Sequence, residues 1–172
     1  YQFARPQLRV LTNAQATRAG ITAALRQLAE ESRPGDVVVF YYAGHGSQRV
    51  NSRSARKANR LDQTIVPADA NAGTFDIRDV ELAAAFNAIL DRLGPTGSLT
   101  LIFDSCHSGA VTRGEPGPTK IRWAAADPRD AQDSTTVRGP EERGALFLAA
   151  AQDFEVAQEE TNATVDGKPH GA

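Results

Sequence analysis

The chain has 172 residues, 41% of them hydrophobic and 23% charged, which is enough for a single domain, 1–172, with a full core. A formal net charge of −2, with basic residues scattered among acids rather than interleaved with aromatics, argues against a nucleic-acid surface. No apolar run approaches the ~18 residues of a membrane span, no secretory leader opens the chain and its one cysteine cannot form an internal disulfide; no membrane partner and a cytoplasmic location are therefore expected.

Residues 1–11 mix residue types without a period and read as a connection with a little extended structure. From Thr12 or Asn13 the spacing of Ile21, Leu25 and Leu28 predicts a helix, which Arg33-Pro34-Gly35-Asp36 stops; Gly20 inside it weakens its continuity. Val37 to Tyr42, VVVFYY, predicts a buried strand that runs into Ala43-Gly44-His45-Gly46-Ser47-Gln48. From Gln48 to Arg60 the chain is polar, with Arg49, Arg53, Arg56, Lys57 and Arg60, and reads as a mobile surface loop.

Leu61 to Val66 offers a short strand closed by Pro67, and 69–76 is a turn-rich link. A helix follows from about Asp79 to Leu93, with Leu82, Phe86, Ile89, Leu90 and Leu93 on one face and Gly94-Pro95 as its stop. Leu99 to Phe103 is a second buried strand, ending at Asp104. Thr112 to Arg143, with Pro116, Pro118, Pro128 and Pro140 among many charges, reads as a flexible, linker-like loop inside the domain. Ala145 to Ala151 fits another strand, and the tail from Asp153 is polar with one Gly-Lys-Pro-His-Gly turn.

Two of these strands end alike. VVVFYY runs into a glycine-bearing turn that holds His45, and SLTLIFD runs into Ser105-Cys106-His107-Ser108-Gly109, which holds the single cysteine. An amphipathic helix lies between them, so the unit reads β-α-β, with parallel strands and both turns on one rim. Neighbouring strands lie about 4.8 Å apart, which brings an imidazole within reach of a thiol. A free thiol is a weak nucleophile until ionised, and an imidazole can take its proton. Cys106 is thus the candidate nucleophile and His45 its base, with the N–H groups of Gly46 and Cys106 as candidate oxyanion donors. For Asp104 two readings stand: a carboxylate beneath the nucleophile that holds a basic substrate side chain, or a strand-ending cap. His107 is read as stabilising its turn, His170 as solvent-facing, Trp123 as a docking anchor, and no zinc spacing or phosphate loop is present.

YYAGHGSQ followed by LIFDSCHSG resembles the caspase-like cysteine peptidases, in particular the metacaspase branch that includes the bacterial orthocaspases. LDQTIVPADA, IRDVEL, ALFLAAAQDFEVAQE and the terminal GKPHGA extend the likeness over most of the chain. It implies an α/β fold, a three-layer α-β-α sandwich with a mostly parallel central sheet, cut short at both ends relative to the family. It also implies a His45–Cys106 dyad, an oxyanion hole at Gly46 and Cys106, and Asp104 in a pocket for Arg or Lys, so the expected partners are proteins or peptides cut after a basic residue. Self-processing at Lys120, Arg122, Arg129, Arg138 or Arg143 would follow. A catalytically silent caspase-like scaffold is the alternative, and the oligomeric state is left open.

The likeness also brings calcium into question. Asp62 and Asp79 match two ligands of the family's activating calcium site, but Val80 and Arg113 stand where further acids are usual. Calcium wants six to eight oxygens, so no cofactor is expected, and Asp62 reads as a hydrogen-bonded loop residue.

Overall fold

The computed structural model describes residues 2–54, 57–105, 120–121, 125–133, 136–150, 158–165 and 168–171. After two short 3-10 turns at Arg5–Gln7 and Asn13–Gln15, helix α1 spans Arg18–Glu31. It begins later than the apolar spacing predicts because its start is capped at Thr17, whose hydroxyl oxygen accepts from the Gly20 N–H at 3.0 Å. Asp69 accepts from the Arg18 N–H at 2.9 Å, and an orphan donor of the first turn is thereby satisfied from outside the helix. Gly20 is no defect: a β-carbon there would lie 2.5 Å from the Gln15 carbonyl oxygen, so the entry turn folds against bare backbone.

Strand β1, Val37–Ala43, leads through two residues into β2, Gly46–Val50; β3 spans Leu61–Ile65 and β4 Ile77–Arg78. Helix α2, Asp79–Leu93, matches its expected bounds, and β5 follows at Ser98–Asp104. Lys120–Ile121 forms β6, Leu146–Ala149 β7, Gln158–Val165 β8 and Lys168–Gly171 β9. The main sheet has the order β1-β5-β7 and is parallel throughout, with Val38 opposite Leu99 and Phe103 opposite Ala149. This is the α/β architecture with a parallel sheet that the sequence predicts.

Alternation along the strands sorts the side chains. Val38, Leu99, Leu101 and Phe103 turn to one face, where they join Ile21 and Leu25 of α1 and Leu82, Phe86, Ile89 and Leu93 of α2 in one core. Phe40 packs on Phe86 and Phe103 with ring centroids 5.1 and 5.6 Å apart, and Phe103 stacks on Phe147 at 5.3 Å. Val37, Tyr41, Leu146 and Leu148 turn to the other face and are exposed; among the described residues no helix covers that face.

Two expectations change. The stretch after His45 opens with β2, the first strand of an antiparallel sheet β2-β3-β4, rather than with a surface loop. Its residues GSQRV carry no apolar alternation because they bury polar groups that find partners: Ser47 donates to the Ala125 carbonyl at 2.8 Å, and Arg49 lies 4.0 Å over the Phe75 ring. The polar tail is also partly stranded, since β8 pairs antiparallel with both β6 and β9, so Lys168–Gly171 is strand rather than turn. Backbone pairing, which composition does not reveal, sets these strands.

Within 112–143, residues 125–131 lie along the free edge of β2. Asp127 N–H donates to the Gln48 carbonyl at 2.8 Å, Val50 N–H to the Asp127 carbonyl at 3.3 Å and Ala131 N–H to the Val50 carbonyl at 2.9 Å. Glu141–Arg143 is a 3-10 turn, tied to α2 by Arg143 and Asp91 at 2.6 Å.

Candidate functional site

The C-terminal ends of β1 and β5 make the rim that carries the candidate residues. Ala43 stands in register with Asp104, and the Gly44 N–H donates to the Asp104 carbonyl at 3.3 Å. His45 is exposed and occupies the short link from β1 to β2. Cys106 follows β5 by two positions; it lies outside the described residues, as do His107 and Trp123.

The histidine turn is held from beneath. The His45 carbonyl accepts from the Val66 N–H at 3.0 Å and from the Tyr42 hydroxyl at 2.9 Å, and the same hydroxyl lies 3.2 Å from the Val66 carbonyl. Because the His45 carbonyl faces β3, the alternation of an antiparallel ladder turns the Gly46 N–H to the opposite side. Ser105, next to the cysteine, is fully buried, and its hydroxyl has no hydrogen-bond partner among the described residues.

Asp104 is half-buried on the sheet face away from the helices. The hydroxyl of Tyr41, on the neighbouring strand, lies 3.4 Å from its Oδ2. Tyr41 is 60% exposed, so this carboxylate borders open space.

Below the rim lies a second charged cluster, centred on a residue that sequence reasoning passed over. Arg78, at the N-cap of α2, donates to Asp62 at 3.0 Å, pairs with Asp133 and lies 3.6 Å from Glu81. Asp62 is a buried residue of β3, 1% exposed, rather than a loop residue; Asn51 also donates to it, at 2.9 Å. Asp79 pairs with Lys57, and its other oxygen accepts from the Val80 N–H at 2.8 Å. Burial disfavours the charge on Arg78, but hydrogen bonds to Asp133 and Asp62 outweigh it and raise its pKa. The bond from Arg78 holds the Asp133 carboxyl below the usual carboxylate range. Burial pushes Asp79 up, with Lys57 opposing.

These carboxylates are already paired. Arg78 and Lys57 already neutralise Asp62 and Asp79, and among the described residues no group of three His, Cys, Asp or Glu side chains is arranged to hold a metal ion. The sequence signal for Arg78 was its place directly before Asp79 in IRDVEL, but its partners lie 16 and 55 positions away, beyond any local pattern.

Of the basic residues in 125–143, Arg129 pairs with Asp127 at 2.7 Å and lies 3.9 Å over Phe75, whereas Arg138 is exposed beside Glu142 at 3.3 Å. Among the described residues no helix is long and apolar enough to cross a membrane.

A family model of the metacaspase, peptidase C14 domain matches residues 4–113. Metacaspase-1 of Mycosarcoma maydis is 43% identical over 97 residues, which cover 55% of this chain and 22% of that protein. Metacaspase-9 of Arabidopsis thaliana is 33% identical over 131 residues, covering 70% of this chain and 38% of that protein. The chain thus spans between about a fifth and two fifths of these relatives. A crystal structure of a Geobacter sulfurreducens protein aligns with a TM-score of 0.47 and 23% identity, over 59% of this chain and 34% of that one.

Proposed function

Since the chain belongs to the metacaspase family of C14 cysteine peptidases, we propose that it is an endopeptidase cutting after Arg or Lys, with Cys106 as nucleophile and His45 as base. The observation that carries this reading is the tie between the two strand ends: β1 and β5 are parallel neighbours, joined one residue past β1 and at the last residue of β5 by the Gly44–Asp104 hydrogen bond. His45 leaves one of these strands and Cys106 follows the other.

In this reading His45 takes the thiol proton and the thiolate attacks the carbonyl carbon of the scissile bond. The C–N bond breaks, the leaving amine receives the proton from His45, and a thioester remains on Cys106. Water, deprotonated by His45, then releases the acid and restores the thiol. The Gly46 N–H, turned away from β3, and the Cys106 N–H are the oxyanion donors. Asp104 accepts the guanidinium or ammonium of the substrate residue before the cut, a charge-assisted pair at a half-buried carboxylate. The substrates are proteins or peptides. No step calls on calcium, because Arg78 and Lys57 already hold the carboxylates that would bind it.

Fluorogenic peptides ending in Arg, Lys, Asp or Asn, offered to wild type, Cys106→Ala and His45→Ala with and without a chelator, test this reading. Cleavage of the Arg and Lys peptides by wild type alone, unaffected by chelator, is expected. Turnover of the Asp peptide alone would overturn the assignment of Asp104, chelator-sensitive cleavage would overturn the calcium-free scheme, and silence on every peptide would favour a scaffold.

A further inference from the structure

The aromatic ring of Tyr42 is anchored in the core while its hydroxyl reaches the rim. Its centroid lies 6.4 Å from that of Phe103, and the residue packs against the buried cluster between sheet and helices. The hydroxyl lies 2.9 Å from the carbonyl of His45 and 3.2 Å from that of Val66, so one hydrogen is shared between the two acceptors. With the Val66 N–H at 3.0 Å, the His45 carbonyl has a donor for each lone pair.

The intervening turn is shaped around this hydroxyl. A β-carbon on Gly44 would come within 2.6 Å of it and 2.9 Å of the ring carbon that bears it, so glycine is required for the turn to cross so closely. Burial pushes the phenol up to about 12, and the group stays a donor throughout the neutral range.

We propose that Tyr42 is the positioning residue of the candidate base: its hydroxyl pins the His45 main chain to the start of the Val66 loop and thereby sets where the imidazole stands over the rim. This rests on the reading of His45 as the base. Among the described residues the Tyr42 hydroxyl bonds main-chain carbonyls, so in this scheme it acts through the His45 backbone. Beside the main-chain bonds from Val66 and to Asp104, the Tyr42 hydroxyl adds a side-chain tie to this two-residue link between two sheets, and proton transfer from a thiol falls steeply with misplacement.

Tyr42→Phe keeps the core ring and removes only the hydroxyl. With an arginine fluorogenic peptide, and with rates expressed per titrated active site, kcat is expected to fall about tenfold with KM unchanged within about twofold. Alkylation of Cys106 by iodoacetamide near neutral pH should slow by a similar factor. Gly44→Ala, which crowds the hydroxyl out of place, should give the same split, and it serves if Tyr42→Phe fails to fold. An unchanged kcat per active site in either folded variant, beside an active wild type, would overturn the inference and leave the peptidase reading intact. A wild type that cuts no peptide, and whose Cys106 alkylates at the same rate in His45→Ala, would instead remove the peptidase reading and this inference with it.

Discussion

The main-chain N–H of Gly44 donates to the carbonyl of Asp104 at 3.3 Å, across a register that pairs Ala43 with Asp104. The bond continues the β1–β5 ladder one step past β1. It therefore ties the residue before His45 to the strand that leads to Cys106, and a disturbance at either strand end reaches both.

Asp104 is the first place to test that rim. Its carboxylate is half-buried, with the Tyr41 hydroxyl at 3.4 Å, so a bound guanidinium would be only partly screened by water. Asp104→Asn is expected to lower kcat/KM for arginine peptides by about tenfold, the loss expected on removing one partner from a partly screened charge pair. Steady-state kinetics on the peptide panel check this; an unchanged arginine preference would return Asp104 to the role of strand cap.

Arg78 carries a different risk, one of stability. Its removal leaves Asp62, which is 1% exposed, with Asn51 as its remaining side-chain donor among the described residues. Breaking a buried pair from one side costs about 3–5 kcal/mol, so Arg78→Ala should unfold at markedly lower urea. Replacing both partners, Arg78→Met with Asp62→Leu, should recover much of that loss. Calcium added to wild type should leave the unfolding midpoint where it was.

Gly20 sets helix propensity against local geometry. Alanine is better than glycine by about 1 kcal/mol inside a helix. Here the added methyl would meet the Gln15 carbonyl oxygen at 2.5 Å, a main-chain atom with little room to move. Gly20→Ala is expected to lower the thermal midpoint; a raised midpoint would mean that the entry turn relaxes freely.

Acid should release the segment beside β2 before the core. A hydrogen bond from Arg129 holds Asp127 below the ordinary carboxylate range, bonds from Ser52 do the same for Asp130, and Arg78 does so for Asp133. A depressed carboxylate contributes its stability above the unfolded pKa of about 3.9 and loses it as pH falls through the folded value. These bonds therefore support the docking of 125–133 in full above about pH 4 and weaken as pH falls from there through the depressed folded values. Asp76 runs the other way, since burial raises its pKa and its contribution declines as pH rises through that value. Amide exchange at Asp127 and Ala131, whose N–H groups bond to β2, reads the release directly. Protection that persists well below pH 4 would count against it.

Much of the scaffold was legible in residue order alone. Leu82, Phe86, Ile89 and Leu93 recur at helical spacing and form the buried face of α2, with Leu90 packed beside them. VVVFYY and SLTLIFD are dense in β-formers and became adjacent parallel strands. The motifs around His45 and Cys106 pointed to the family that the matching domain model bears out.

What the chain order determined, then, is whatever depends on neighbours a few positions apart: periods of two and 3.6, turn residues at the strand ends, and the short motifs placed there. The tertiary structure alone decided the rest. β2 is a strand because β3 on one side and residues 125–131 on the other satisfy its backbone, and no local period records partners so far away. Arg78 is half-buried where Asp62 and Asp133 converge on it, and Tyr42 gains its role because Val66 folds back over the histidine turn. Hydrophobic spacing is a local code, whereas a buried polar group is stable only with partners, and those partners exist only once distant segments have met.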